Sequence, residues 1–422
     1  MKRTIGVVTA VAGSLVLAAC GSSGTKTSTK TTTAPGASSS VPASIGINSF
    51  TNDFSAMGQL KSLAAKGQGN IAVLLPDTQS SARYAAFDAP YLTKAFQGAG
   101  LSSSQFSVQN AEGSAQTQQT QAEQAITNGA VVLVLDSLNS GEGAAIEKSA
   151  QAKGVAVIDY DRLDLGGAES YYVSFDNVKV GKLQGQGLQS CVQSWNVSSP
   201  QVFELDGSPT DNNATQFAQG YNSVLNPLYS AKTFTKVGEQ AVPDWDAQQA
   251  LTIFQQQYQA HKNINAVLTA NDQLAGSVIS VLKTLNVAPK KVPTTGQDAS
   301  LVGLQNILAG YQCMTVYKPI YQEAQAAVAV ALYVRAKEKP PAALMNGTSD
   351  AQTSTPVPSV LLTPQSVTTS NMNSTVIKDN FVPASQLCAG AFASACQAAG
   401  ISGLRDESGF GRGGDRRLGP RP

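Results

Sequence analysis

At 422 residues the chain is long enough to bury the cores of two packed domains. Its 29 basic and 28 acidic residues leave a net charge of +1, and no basic stripe gathers that would hold nucleic acid. One histidine, His261, in a surface-type helix end, and five cysteines without a C-x-x-C spacing exclude the common metal and redox centres, while G-x-S-x-G and phosphate-loop spellings are missing.

In chain order, Lys2 and Arg3 precede the apolar run TIGVVTAVAGSLVLAA, which is too short and too rich in small residues to make a good membrane span. It ends at LAAC, and this spelling resembles the lipobox of bacterial lipoprotein signal peptides, with Cys20 as the lipidated residue. Residues 1–20 are therefore expected to be a signal peptide. Residues 21–66, with SSGTKTSTKTTTAPGASSS, are expected to be a flexible tether holding the protein at the outer face of the cell membrane.

From residue 70, apolar runs alternate with amphipathic stretches. NIAVLLPD, QFSVQNA, AVVLVLDS and VAVIDYD predict strands, separated by the helical patterns ARYAAFDAPYLTKAFQGAG, SAQTQQTQAEQAITNG and GEGAAIEKSAQAKG. A second series follows, with PQVFELDGS, FTKVGEQ and INAVLTAND as strands. Strict alternation implies α/β architecture with parallel sheets covered on both faces, here as two lobes with a cleft between them. Residues 403–422, rich in Gly and Arg, predict a disordered tail. Cys388 and Cys396, eight apart, predict a disulfide; Cys191 and Cys313 are either a second bridge or two buried thiols.

Polar residues fall at the strand ends: Asp77, Asp136, Asp161 with Arg162, Asp206, and Asn271 with Asp272. Single acids there serve as turns and helix caps, but several converging on one cleft point to binding, because ligands of such sheets collect beyond the strands' carboxyl ends. Acids, amides and an arginine side by side suit a ligand with rows of hydroxyl groups, each both donor and acceptor, and an aromatic ring suits its C–H face. Paired carboxylates for glycoside hydrolysis could be drawn from Asp161, Asp176 or Asp298, but binding without catalysis is the expectation, with no cofactor and no metal.

The segments LLPDTQSSARYAAFD, VIDYDRL, YVSFDNVKVGKLQGQ, ELDGSPTDNNA, LTANDQLAGSVI and TTGQDASLVGLQNILAGYQCMTVYKPI resemble the D-xylose-binding branch of the periplasmic sugar-binding proteins, the solute-binding components of ABC importers. The resemblance spans about 68–400. It implies a type I periplasmic-binding-protein fold: two Rossmann-like doubly wound lobes joined by three hinge crossovers. The first lobe would be 67–173 with 319–338, and the second 174–318 with 339–402. It implies Arg83, Tyr84, Asp161, Arg162, Asn177 and Asp176 as ligand contacts from the first side. Asn213, Trp245, Asn271, Asp298 and Lys318 would come from the other side and the last crossover. Asp176 and Asn212 could equally cap the helices that follow, Trp245 could pack the hinge, and Lys318 could be solvated. Tyr84 stands where some relatives carry Trp. The implied protein is a monomer that captures a monosaccharide, D-xylose by resemblance, and delivers it to an ABC permease. A sensor presenting its ligand to a membrane kinase, or a site for another pentose or hexose, would use the same cleft. A repressor of this architecture would need a helix-turn-helix where SSGTKTSTKTTTAPG stands.

Overall fold

The computed structural model describes residues 45–401; the expected signal peptide, Cys20, residues 21–44 of the expected tether and the expected tail lie outside the described residues. Strands β1 (Asn70–Leu75), β2 (Phe106–Asn110), β3 (Ala130–Leu135), β4 (Ala156–Tyr160) and β5 (Tyr171–Phe175) alternate with helices Ala89–Gly98, Ala115–Thr127 and Ser140–Ala152. β6 (Gln201–Asp206), β7 (Thr235–Ala241) and β8 (Ala266–Thr269) follow, alternating with helices Asn177–Ser194, Asn212–Ser230, Ala247–Ala260 and Asp272–Thr284. After helix Leu301–Leu308 come β9 (Thr315–Tyr317), helix Ile320–Arg335, β10 (Gly347–Ser349), β11 (Val357–Leu362) and β12 (Gln365–Val367).

The first lobe is a seven-stranded sheet in the order β10-β11-β5-β4-β3-β1-β2, parallel except for the antiparallel edge strand β10. The second lobe carries the parallel sheet β7-β6-β8, continued by a bridge from Val267 to Thr294. β9 and β12 form a small antiparallel ribbon. The central strands are continuous apolar runs because helices cover both faces. Helices start where a side chain accepts an otherwise unpaired N–H: Asn139 from Glu142 at 3.0 Å, Asp246 from Gln249 at 2.6 Å and Ser300 from Gly303 at 3.0 Å. Gly154, at φ 74°, ends helix Ser140–Ala152 in the left-handed turn that an L side chain resists.

Two boundaries differ from expectation. The expected tether reaches too far: Ile45, Phe50, Phe54, Met57, Leu60 and Leu63 are buried in the main core, and helix Lys61–Lys66 packs beside helix Ile320–Arg335. Six apolar side chains among polar ones, without one clean period, bind this stretch to the lobe. The third crossing also comes later. Residues 339–362 do not join the second lobe, because VPSVLL makes a buried strand that pairs with β5, Leu362 opposite Phe175. The chain therefore changes lobes near residues 176, 318 and 363. Its last described part, Met372–Ile401, packs on helix Leu301–Leu308, with Phe381 stacked on Phe87 of the first lobe at a centroid distance of 3.9 Å. Both disulfides form, Cys388–Cys396 as expected and Cys191–Cys313, which resolves that pair in favour of a second bridge. Among the described residues no helix is long and apolar enough to cross a membrane.

Candidate functional site

The carboxyl ends of β1, β4, β6, β7 and β8 face one another across the lobes, and their side chains leave a cavity of only about 20 Å³ between them. In this closed form the lining residues fill most of the cleft, so a ligand larger than water enters only as the lobes part. A larger hollow of about 430 Å³ beside Cys191–Cys313 is open and lacks charged side chains, so the chemistry lies in the smaller cavity.

After β1, Asp77 holds a tight turn, accepting from the N–H groups of Gln79 and Ser80, each at 2.6 Å, and this presents Ser80 and Ser81 to the cavity. A single wide helical turn, Tyr84–Asp88, then opens the helix, and Arg83 and Tyr84 turn inward. Arg83 is the hub of this wall. It forks onto Asp88 at 2.9 and 2.7 Å and reaches Asp161 at 2.6 Å and Glu323 at 2.5 Å. Asp161, just past β4, adopts φ 60°, and its carbonyl accepts from Tyr172, Ser174 and Asn213 at 2.9, 2.7 and 3.0 Å. Arg162 donates to the carbonyls of Ser137 and Leu138 and to the Tyr84 hydroxyl, with Asp211 at 3.3 Å and Asp136 at 3.6 Å. The Tyr84 ring has a guanidinium on each side, Arg83 at 5.6 Å and Arg162 at 5.7 Å.

The second lobe supplies Asp211, Asn213, Phe217, Trp245, Asn271, Gln297 and Asp298. Asp211 caps helix Asn212–Ser230 and accepts the Trp245 indole N–H at 3.0 Å. Gly207 makes room for that indole, since a Cβ there would lie 2.1 Å from the ring. Lys318, at the second crossing, sits 3.2 Å from Asp298 and 3.8 Å from Asp161. Burial drives the Asp161 carboxyl upward, but Arg83, Lys318 and Arg162 outweigh it and hold the group below the usual carboxylate range. Burial would likewise strip the Lys318 proton, and Asp298 and Asp161 hold it on. The wall thus carries fixed charges of both signs; among the described residues Gln297 Oε1 has no hydrogen-bond donor, and Asp298 Oδ1 has only the Lys318 ammonium at 3.2 Å. Such groups, preset in a dry site, discriminate between ligands by the hydroxyls they carry.

Nine expected residues line the cavity: Arg83, Tyr84, Asp161, Arg162, Asn213, Trp245, Asn271, Asp298 and Lys318. Two do not. Asp176 is exposed and caps helix Asn177–Ser194, accepting from Lys179 at 2.9 Å; its position just before the helix turns its carboxylate toward that orphan N–H. Asn177 lies behind the wall, donating to Asn213 at 2.9 Å and fixing that amide. Sequence reading missed Ser80, Ser81, Asp211, Phe217 and Gln297. Phe217 could have been found, standing one helical turn after Asn213, and Asp211 from its cap position before the same helix.

This architecture, two lobes closed over a charged cleft beyond the strand ends, is that of a two-lobed solute-binding protein. A family model for the periplasmic binding protein domain matches residues 51–339, and the chain belongs to that family. It is a binding protein, not an enzyme. More particularly, the D-xylose-binding periplasmic protein of Escherichia coli strain K12 is 39% identical over 283 residues, covering 66% of this chain and 82% of that protein. The D-xylose-binding periplasmic protein of Haemophilus influenzae is 38% identical over 277 residues, covering 65% and 80%. Among solved structures, an ABC transporter solute-binding protein from Clostridium phytofermentans with bound β-D-glucose is 28% identical, with a TM-score of 0.67 over 75% of this chain and 99% of that one.

Proposed function

We propose that the protein captures a monosaccharide, D-xylose, between its lobes and delivers it to the permease of an ABC importer. A lipid on Cys20 would hold it at the extracytoplasmic face of the membrane. The observation that carries this reading is the wall itself: acids, amides, guanidinium and ammonium groups from both lobes converge on one cleft, with Trp245 and Phe217 rings among them. Hydroxyls of a pyranose would bridge Asp161 and Arg162 on one side to Asn213, Asn271 and Asp298 on the other. Ligand contacts made to both lobes at once favour the closed state over the open one, and the closed shape is what a permease would read.

The test is calorimetric titration of the chain lacking residues 1–20 with xylose, ribose, arabinose, glucose and galactose. Saturable one-to-one binding of xylose, lost in Arg162→Ala, supports the proposal. Tight binding of another of the five keeps the trap and changes its cargo. No heat with any of them removes the sugar assignment.

A further inference from the structure

Where helix Ser140–Ala152 packs on β4 and the loop that follows it, four carboxyl groups meet. Glu147 comes from helix Ser140–Ala152, Asp159 from β4, and Asp164 and Glu169 from the loop that joins β4 to β5. Oxygens of Glu147, Asp159 and Glu169 all lie within 4.8 Å of one another. Glu147, Asp159 and Asp164 are each 0% exposed. No lysine or arginine among the described residues forms an ion pair with any of the four.

An acid cluster alone says little, and a second such group in this protein shows the ordinary solution. Glu204, Asp206 and Glu239 also converge, but Lys236 lies 2.6 Å from Glu204 and 2.5 Å from Glu239 and supplies the positive charge. The first cluster has no such cation. Glu147 Oε1, Asp159 Oδ1, Asp164 Oδ2 and both Glu169 oxygens accept from no N–H or hydroxyl group and lie against one another's carboxyls instead. The fully buried Asp164 is the independent sign, since it lies outside the three that meet most closely, yet its carboxyl comes within hydrogen-bonding reach of Glu147. The other oxygens are tied down: Ser137 donates to Asp164 Oδ1 at 2.5 Å, the Asp164 N–H to Asp159 Oδ2 at 2.8 Å, and the Ala168 N–H to Glu147 Oε2 at 2.5 Å. These bonds turn one oxygen of each side chain outward to the protein and the other toward its neighbours. Backbone is pressed against the group at two glycines. A Cβ on Gly143 would fall 1.8 Å from Asp164 Oδ2, and one on Gly167 would fall 1.9 Å from Glu147 Oε2.

We propose that Glu147, Asp159, Asp164 and Glu169 form a calcium site that locks the loop carrying Asp161 and Arg162. Calcium takes six to eight oxygens at about 2.3–2.6 Å, which places opposite ligands about 4.6–5.2 Å apart and accommodates the observed spread. Magnesium demands a tighter octahedron and keeps most of its water, which a site this buried does not welcome. Four carboxyl groups buried without a counter-charge must hold either protons or a cation, and a divalent ion binds by displacing those protons. Asp159 and Asp164 bracket the Asp161–Arg162 pair in sequence, so the ion would fix both ends of the segment from which the cavity wall is built.

The test uses the full chain, stripped with EGTA and titrated with calcium chloride by calorimetry, with thermal unfolding followed in parallel. The expected result is one calcium per chain and a rise in the unfolding temperature of at least about 3 °C at saturating ion. Magnesium at the same concentration should produce less than a tenth of that affinity. The double variant Asp159→Asn/Asp164→Asn should lose calcium binding while remaining folded in EGTA, because it removes repulsion rather than contacts. Glu169→Gln, at the half-buried rim, gives the same readout should the double variant fail to fold. Asp206→Asn, in the cluster that Lys236 neutralises, should bind calcium unchanged. No heat and no thermal shift up to millimolar calcium would overturn the proposal, as would calcium binding that survives in both cluster variants or an equal response to magnesium.

Discussion

Asp161 holds the wall together in two ways at once: its backbone, at φ 60°, aims three hydrogen bonds inward, and its carboxylate joins Arg83 to Lys318. Truncating a buried charged contact costs about 2–5 kcal/mol, because the partner is left unpaired. Asp161→Ala and Arg162→Ala should each weaken sugar binding at least about 30-fold by calorimetry. Asp176→Ala should leave the affinity unchanged and lower stability by about 1 kcal/mol in denaturant unfolding, since it only caps a helix. Glu323 gives a pH prediction. Burial, with Asp161 and Asp88 nearby, outweighs Arg83 and Lys318 and pushes its carboxyl up to about 8. A group whose folded value lies above its ordinary one stabilises fully below the ordinary value and loses that contribution as pH rises through the folded value. Stability should therefore fall between about pH 5 and 8. Glu323→Gln should flatten that fall by up to about 1.4 kcal/mol per pH unit, read from urea midpoints across the range. The strand-end rule made Asp161, Arg162 and Asn271 legible in sequence, because position relative to a strand is a local property, and the family resemblance added Asp298. Neither could separate Asp176 from them. A helix cap and a ligand contact look alike in sequence, and only the direction of the side chain tells them apart. Glu323 was illegible for a different reason: its partner Arg83 lies 240 residues away.

At the scale of elements, the alternating strands and helices were readable because each buries a continuous apolar face. The two misplaced boundaries share one cause, which is short segments whose apolar residues gain their burial only from distant parts of the chain. Phe50 and Leu60 lie against a helix that begins only at Ile320, and β11 finds its neighbour in β5. The consequence is measurable. Phe50→Ala should destabilise the protein by about 3–5 kcal/mol, as a core truncation does and a change in a free tether would not. Limited proteolysis should spare residues 45–66, which stay bound to the lobe.

The two lobes are in a closed form, held by contacts that cross the cleft. Ser81 donates to Asp298 at 2.8 Å, Asn271 to the Ser80 carbonyl at 3.2 Å, and Gln273 to the Gln79 carbonyl at 2.7 Å. Gln273 lies at the exposed rim, outside the cavity wall. Gln273→Ala should therefore weaken sugar affinity about 2–10-fold by shifting the lobes toward opening, with the ligand's contacts intact. Its signature in small-angle scattering would be a larger radius for the sugar-free protein and an unchanged radius for the loaded one. The closed form also gives the protein a built-in optical gauge. Of its two tryptophans, Trp195 sits half-buried on the second lobe beside the Cys191–Cys313 bridge, whose sulfurs quench an indole, while Trp245 stands in the cavity with its N–H committed to Asp211. Emission should come chiefly from the ring that a ligand would touch, so a change in its colour would count the filled molecules in a cuvette without any label attached.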